Sequence, residues 1–496
     1  MGAAAIGAPA IATGEGLLWN DAEAASDTVR SAQSSWAARP VVDRLRVLQA
    51  ARHRVAARAD EFARAFSPEL ARTEADSLVA EVLPLLAACQ FLEQNAAKIL
   101  RPRRLGRRGL PFWLSGVHSE VSRGPFGKVL VIGPANYPLF LPGVQALQAL
   151  AAGNAVVWKP GRGGRAVAAL FAQCLCDAGL PRQVLRITDE SVEAAEREIA
   201  AGVDKVFFTG SAVTGRVLLK RLAETLTPCV AELSGCDAMV VLPSANLDVV
   251  VKALAFGMRL NGSSTCMAPR RVLLVDASTE RRNDLLLALH EALRKIGPVT
   301  VADSVPRDLD VLLQEAQESG ANVIGEVSAG SMRPVVVTRV APAMKIAQAD
   351  IFAPVLLLMD IHGEQEILAA QATCPFGLTA SIFGAEREAR RLAEKLNVGT
   401  VTINDAIAST ADPRVPFGGR RQSGFGATRG AEGLLEMTAA KTVTARRGRG
   451  TRHYEATGAA HKDLFGGMIL ASHAATWRER MRGVVQLVRA GRRLTK

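Results

Sequence analysis

The chain has 496 residues, of which 49% are apolar and 22% charged, a balance that supports large buried cores and excludes a disordered or fibrous scaffold. At about 150 residues per domain the length implies roughly three structural units. The net charge of +12 invites a nucleic-acid or membrane reading, but residues 446–496 carry +9 of it and residues 1–445 only +3. Basicity therefore belongs to one appended segment, and no nucleic-acid partner is expected for the body.

Seven cysteines, at 89, 174, 176, 229, 236, 266 and 374, are too sparse for a disulfide framework and point to a reducing compartment. The seven histidines form no HExxH and no Cys-x-x-Cys pair occurs, so no bound metal is expected. No Lys or Arg precedes Arg30, and Ile6 stands where a myristoylation signal has Ser or Thr. The apolar runs fall short of the roughly 20 residues of a membrane span. A cytoplasmic location is expected.

In chain order, residues 20–100 place apolar side chains at helical spacing, for example Val41, Leu45, Leu48, Ala51 and Val55. The RPRRLGRR run at 101–108 reads as a solvated turn or linker. Beyond Arg123, short β-branched runs alternate with helical ones: KVLVIG (128–133), AVVWKP (155–160), KVFFTG (205–210), CVAEL (229–233) and AMVVL (238–242), with helices near 143–152, 164–178 and 213–224. This βαβ rhythm implies a parallel sheet covered on both faces. A second alternation follows Arg270, through RVLLV, PVVVTR, PVLLLM, ASIFG and TVTIN, so two α/β domains in tandem are expected. In the tail, Trp477, Met481, Val484, Val485 and Val488 recur at helical spacing with Arg478, Arg480, Arg482 and Arg489 between or beside them. Such a helix either lies on an anionic membrane or packs on its own subunit or a dimer partner.

Two strand ends carry loops that offer free backbone N–H groups to a phosphate, WKPGRGG at 158–164 and FTGSAVTG at 208–215. Neither is a GxGxxG fingerprint, and each alone also reads as a tight turn. Cys266 sits in the small-residue loop NGSSTCMAPRR before a strand, either as an inert small hydrophobe or as a reactive thiol. Asn136, after KVLVIG, and Glu232, in CVAEL, stand at carboxyl ends of strands, where doubly wound sheets bind ligands.

The ordered series GPANYP, WKPG, FTGSAVTG, ELSG, the Cys266 loop, DIFAPV, PFGL, GTVTIN and PFGGRRQSGFG resembles the aldehyde dehydrogenase superfamily over about residues 15–445. The resemblance implies an α/β fold with a Rossmann-like cofactor domain (1–115 and 128–232), an α/β catalytic domain (233–408) and a small β oligomerisation element (116–127 and 409–445), with 446–496 as a basic extension. It implies NAD(P)-dependent oxidation of an aldehyde to a carboxylic acid. Cys266 is then the nucleophile, Asn136 with the Cys266 N–H the oxyanion donor, and Glu232 the base that activates water.

For the cofactor, the resemblance implies Lys159 at the adenosine ribose, Gly210, Ser211 and Gly215 in the pyrophosphate loop, and Phe352 beside the nicotinamide. Two departures from the family pattern stand out. Arg162 occupies the place of a glutamate that accepts from the ribose 2′-hydroxyl, which favours NADP because a guanidinium attracts the 2′-phosphate. Asp350 is one methylene shorter than the usual glutamate. Ala135 and Tyr137 replace two aromatics near the substrate channel, which suggests a wider, fairly apolar channel. A homodimer or tetramer is implied. The rival readings are coenzyme A-dependent acylation, and a catalytically silent scaffold that uses its basic tail at a membrane surface.

Overall fold

The computed structural model describes residues 22–494 except 302–303, 329, 448–451 and 455, so the reading of residues 1–16 lies outside the described residues. The chain forms two compact units, one of Met1–Arg103 with Val121–Lys441 and one of Arg104–Glu120 with Thr442–Lys496.

In the larger unit, the helix Val41–Ala57 buries Leu45, Leu48, Ala51 and Val55, the stripe expected from its spacing. It packs on the helix Leu83–Ile99, which buries Leu85, Ala88, Cys89 and Leu92. The continuous helical run Glu74–Ile99 is long and apolar enough to cross a membrane, yet its Val82, Leu85, Ala88, Cys89, Leu92 and Ala96 belong to the core cluster that includes Trp36, Trp158 and Phe171. It is a core helix.

The first sheet runs in the order Gly424–Phe425, Cys229–Leu233, Lys205–Gly210, Lys128–Ile132, Ala155–Lys159, Leu185–Ile187, all parallel except the first. The chain starts at Lys128–Ile132, moves outward on one side, then returns to the other side at Lys205–Gly210. The order reverses beside the first strand, and ligand crevices open at such a point, beyond the carboxyl ends. Residues 133–139 and Gly210–Ser211 lie there.

The second sheet has the order Asn322–Ile324, Val335–Thr338, Val355–Ile361, Pro269–Val275, Asp237–Val241, Thr379–Phe383, Thr400–Ile403. The run at 238–242 follows the first series in sequence, but its strand lies in this second sheet, between Pro269–Val275 and Thr379–Phe383. Only Ser234–Cys236 separate it from Cys229–Leu233, too short a link for a parallel crossover within one sheet. The linker expected at 101–108 contains a short exposed strand, Arg103–Leu105, in a three-stranded sheet with Val117–Pro125 and Thr438–Arg446.

The entry to helix Phe140–Ala152 is fixed by a buried carboxylate. Glu81 accepts from the backbone N–H of Leu139 at 3.1 Å and Phe140 at 2.6 Å, two of the donors a helix start leaves open. Its other oxygen pairs with buried Arg72 at 2.8 Å. Burial pushes the Glu81 carboxyl up, while Arg72 and the two amides pull it back. Glu81→Ala, which strands the Arg72 charge and both amides, is expected to cost about 3–5 kcal/mol, seen as a lower thermal midpoint than that of Glu93→Ala at the partly exposed pair with Arg52.

Candidate active site

A cavity of about 910 Å³ in the larger unit is lined by Asn136, Glu232 and Cys266 together with Arg162, Gly210, Ser211, Asp350 and Phe352. Asn136, Gly210 and Glu232 come from carboxyl ends of first-sheet strands. Cys266, Asp350 and Phe352 come from loops that lead into strands of the second sheet. Two sequence-derived residues do not line this cavity. Lys159 ends its strand half-buried, with burial drawing its ammonium down against Glu190 and Asp189. Gly215 lies within helix Ala212–Ala223, where a Cβ would meet Leu233 at 2.9 Å, so its small size serves close packing of helix on strand.

The loop before Cys266 turns through three successive residues with positive φ, Asn261, Gly262 and Ser263. That conformation is costly for a side-chain-bearing residue and needs outside support. Buried Arg270 supplies it, donating to Ser263 Oγ at 2.6 Å, to the Ser263 carbonyl, and to the Ala353 carbonyl at 2.7 Å. One guanidinium thus ties the Cys266 loop to the Phe352 loop, and burial lowers it to about 10. Asn136 joins from the first sheet: its Nδ2 donates to the Ser264 carbonyl at 2.8 Å, and its own carbonyl accepts from Asn261 at 2.9 Å. An amide NH2 has two hydrogens, so one remains after the Ser264 bond. Tyr137, buried, shares a 2.9 Å hydrogen bond with Thr265. Its hydroxyl supports the Cys266 loop and does not line the cavity.

Glu232 is 3% exposed. Its Oε2 accepts from Thr428 at 3.1 Å, and its Oε1 is buried with no partner. Antiparallel pairing of Gly424 with Glu232 brings this later segment alongside. Arg429 follows Thr428, buried and held at φ +63° and ψ 175°, a region that non-glycine residues occupy only under constraint. Its guanidinium stacks on Phe417 at 4.4 Å from the ring centre and donates to the Thr410 carbonyl. The Thr410 hydroxyl donates to the Ile407 carbonyl at 2.6 Å and lies 3.2 Å from the sulfur of Met267, beside Cys266. Arg429 and Thr428 went unseen in the sequence, where nothing marks a single arginine in a Gly-rich loop as buried.

Burial pushes the Cys266 thiol well above its ordinary value, and the carboxylates of Glu232, Asp237 and Asp350 push it further, with Arg429 opposing. Burial also raises Glu232, against the pull of Arg429 and Thr428, and raises Asp350, against Ser234 and Arg270. The charged forms of the thiol and of Glu232 therefore fill only as pH rises.

Several groups lining the cavity suit a dinucleotide. Asp350 Oδ1 is buried without a partner, an acceptor suited to a ribose hydroxyl. Ser211 caps helix Ala212–Ala223 through the Thr214 N–H at 3.1 Å, which sets a helix N-terminus at the cavity wall for a pyrophosphate. Gly161 packs so near Pro134 that a Cβ would stand 2.1 Å from its carbonyl oxygen. Arg162, 81% exposed at the rim, pairs with Glu69 at 3.2 Å.

Comparison with known proteins agrees with this geometry. The model of the aldehyde dehydrogenase family matches residues 10–443. A 4,4'-diapolycopene aldehyde oxidase from Methylomonas sp is 31% identical over 422 residues, covering 82% of this chain and 78% of the relative. The crystal structure of a Mycobacterium tuberculosis aldehyde dehydrogenase complexed with NAD+ matches with a TM-score of 0.77 and 26% identity, over 85% of this chain and 89% of that one. An NADP-dependent glyceraldehyde-3-phosphate dehydrogenase from Bacillus halodurans, complexed with NADP, matches with a TM-score of 0.76 and 25% identity, over 86% and 91%. The fold and the cavity define an α/β oxidoreductase with a dinucleotide site. The chain belongs to the aldehyde dehydrogenase family, and its activity is NAD(P)-dependent aldehyde oxidation.

Arg429 is the cation that opposes the upward push on both Glu232 and Cys266. In Arg429→Met both groups ionise at higher pH, so the rising limb of kcat/KM against pH is expected to move to higher pH, with a loss of about tenfold or more at pH 7. A pH profile with its limb unmoved would show that Arg429 does not tune the site.

Proposed function

We propose that this chain oxidises apolar aldehydes to carboxylic acids with NADP preferred over NAD, through a Cys266 thioester that Glu232 opens with water. The observation that carries the reading is the unpaired, buried Glu232 Oε1 in the cavity that Cys266 also lines. When bound, the dinucleotide supplies the hydride acceptor. The Cys266 thiol gives its proton to the Glu232 carboxylate, and its sulfur forms a bond to the aldehyde carbon. Charge gathers on the former carbonyl oxygen, where the second Asn136 amide hydrogen and the Cys266 N–H receive it. Once hydride has left that carbon, a thioester remains on Cys266. Glu232, after passing the thiol's proton to solvent, takes a proton from water as the water's oxygen adds to the thioester carbon, and expulsion of the sulfur, which regains a proton as the Cys266 thiol, frees the acid.

Arg162 supports the NADP preference. It stands at the rim with a guanidinium free to exchange the exposed Glu69 carboxylate for a 2′-phosphate, an exchange of one charge-assisted pair for another. The neighbour complexed with NADP agrees with this, although another neighbour is complexed with NAD+. Ala135, Leu141, Val299 and Val301 give the cavity an apolar wall, in keeping with the aldehyde oxidase named for diapolycopene. Lys159 and Gly215 would act from outside the cavity, Lys159 toward the adenosine ribose and Gly215 by letting the pyrophosphate-binding helix pack closely. A cytoplasmic setting suits the free cysteines. Homo-oligomerisation suits Thr438–Arg446, an edge strand exposed along nearly all its length.

One experiment tests the chemistry and the cofactor together: near-ultraviolet absorbance of reduced nicotinamide over short and long aliphatic aldehydes with NAD and NADP. Cys266→Ala should abolish reduction. Glu232→Gln should still give one burst per subunit, slowed because the thiol has lost its base, while steady turnover falls about a hundredfold, and Arg162→Glu should invert the cofactor preference. Full turnover in Glu232→Gln with coenzyme A as acceptor would move the assignment to acyl transfer.

A further inference from the structure

We propose that the carboxyl-terminal helix Trp477–Leu494 docks this protein on an anionic lipid surface. The inference stands on the smaller unit alone and does not depend on the catalytic reading. The helices Ala459–His473 and Trp477–Leu494 form a hairpin that packs backbone against backbone. A Cβ on Gly483 would stand 2.3 Å from the Ala471 nitrogen, and one on Gly467 2.6 Å from the Leu487 nitrogen. Glycines thus make the joint, with Leu470 beside Gly483, while other large apolar side chains of the second helix stand outside it. Trp477, Met481, Val484, Val485 and Val488, at spacings of four, three, one and three residues, share another face of the helix and are 39% to 70% exposed. Arg478, Arg482 and Arg489 flank that face, each exposed, with Arg478 resting 5.8 Å from the Trp477 ring centre. An apolar stripe edged by arginine and headed by tryptophan matches the boundary between acyl chains and headgroups.

Charge selects this occupant over a second copy of the chain. Residues 104–120 and 442–496 carry +11 of the chain's net +12. Two such faces brought together would set arginine against arginine, whereas a bilayer with anionic headgroups offers the opposite sign at every point. Aromatic exposure follows the same boundary: of the exposed Phe, Trp and Tyr side chains among the described residues, all but Phe425 lie in this unit.

The test uses the full chain in co-sedimentation with vesicles of phosphatidylcholine alone or mixed with phosphatidylglycerol, at low and high salt, alongside light scattering without lipid. The wild type should bind the mixed vesicles and release at high salt. Trp477→Glu with Val485→Glu, and separately Arg478→Ala with Arg482→Ala and Arg489→Ala, should each weaken binding at least about tenfold. Far-ultraviolet circular dichroism and aldehyde oxidation should stay as in wild type, which shows that the fold survives. Absence of binding, equal binding to neutral and anionic vesicles, or unchanged binding by both variants overturns the proposal. So does a fall in oligomer mass in the Trp477→Glu, Val485→Glu protein without a loss of lipid binding, which would assign the face to a second copy.

Discussion

Everything around the cavity answers to one constraint: acidic groups are gathered where water is scarce. Glu232, Asp237 and Asp350 all raise the Cys266 thiol, and the burial that raises the thiol raises each of them as well. Isolated carboxylates and a thiolate could not share such a space, because desolvation and mutual repulsion favour their neutral forms. Two buried guanidiniums make the arrangement tenable. Arg429 opposes the shift at Glu232 and Cys266, and Arg270 does so at Asp350. Neither forms a direct ion pair with the carboxylate it influences. Each is anchored to backbone carbonyls, so its charge stays fixed whichever acid carries a proton.

The architecture serves that constraint by turning two sheets toward one cavity. The first contributes the carboxyl ends of its strands, with Asn136, Gly210 and Glu232. The second contributes loops that enter its strands, with Cys266 and Phe352. Contacts that cross between them include Asn136 to Ser264, Asn261 to the Asn136 carbonyl, and Tyr137 to Thr265. Glu81 secures the same region from below by holding the start of helix Phe140–Ala152, just after Tyr137.

Much of this was legible in the sequence because period and position carry local information. The β-branched runs and their helices fall where alternation put them, and Cys266, Glu232 and Asn136 could be picked out as polar groups at strand ends or in small-residue loops. Partnership over long separations was not legible. Thr428 meets Glu232 from 196 residues away, and Arg429 owes its burial to Phe417 and Thr410, not to its own neighbours in sequence. By pattern the strand Asp237–Val241 continues the first alternation, while the resemblance set it in the 233–408 domain; both sheets are buried and apolar, and periodicity does not say to which sheet a strand belongs. Arg103–Leu105 looked like a linker because an edge strand with every residue exposed has the composition of a turn.

Burial and the neighbouring carboxylates together push the Cys266 thiol up from its ordinary value. The direct measurement is the rate of Cys266 alkylation by iodoacetamide against pH, with Cys266→Ser as the blank, in wild type and in Glu232→Gln. The wild-type midpoint is expected above that of an unperturbed cysteine, about 8.5, and the midpoint of Glu232→Gln, where one negative charge has gone, is expected to be lower. A wild-type midpoint below neutrality, or one indifferent to Glu232→Gln, would contradict this.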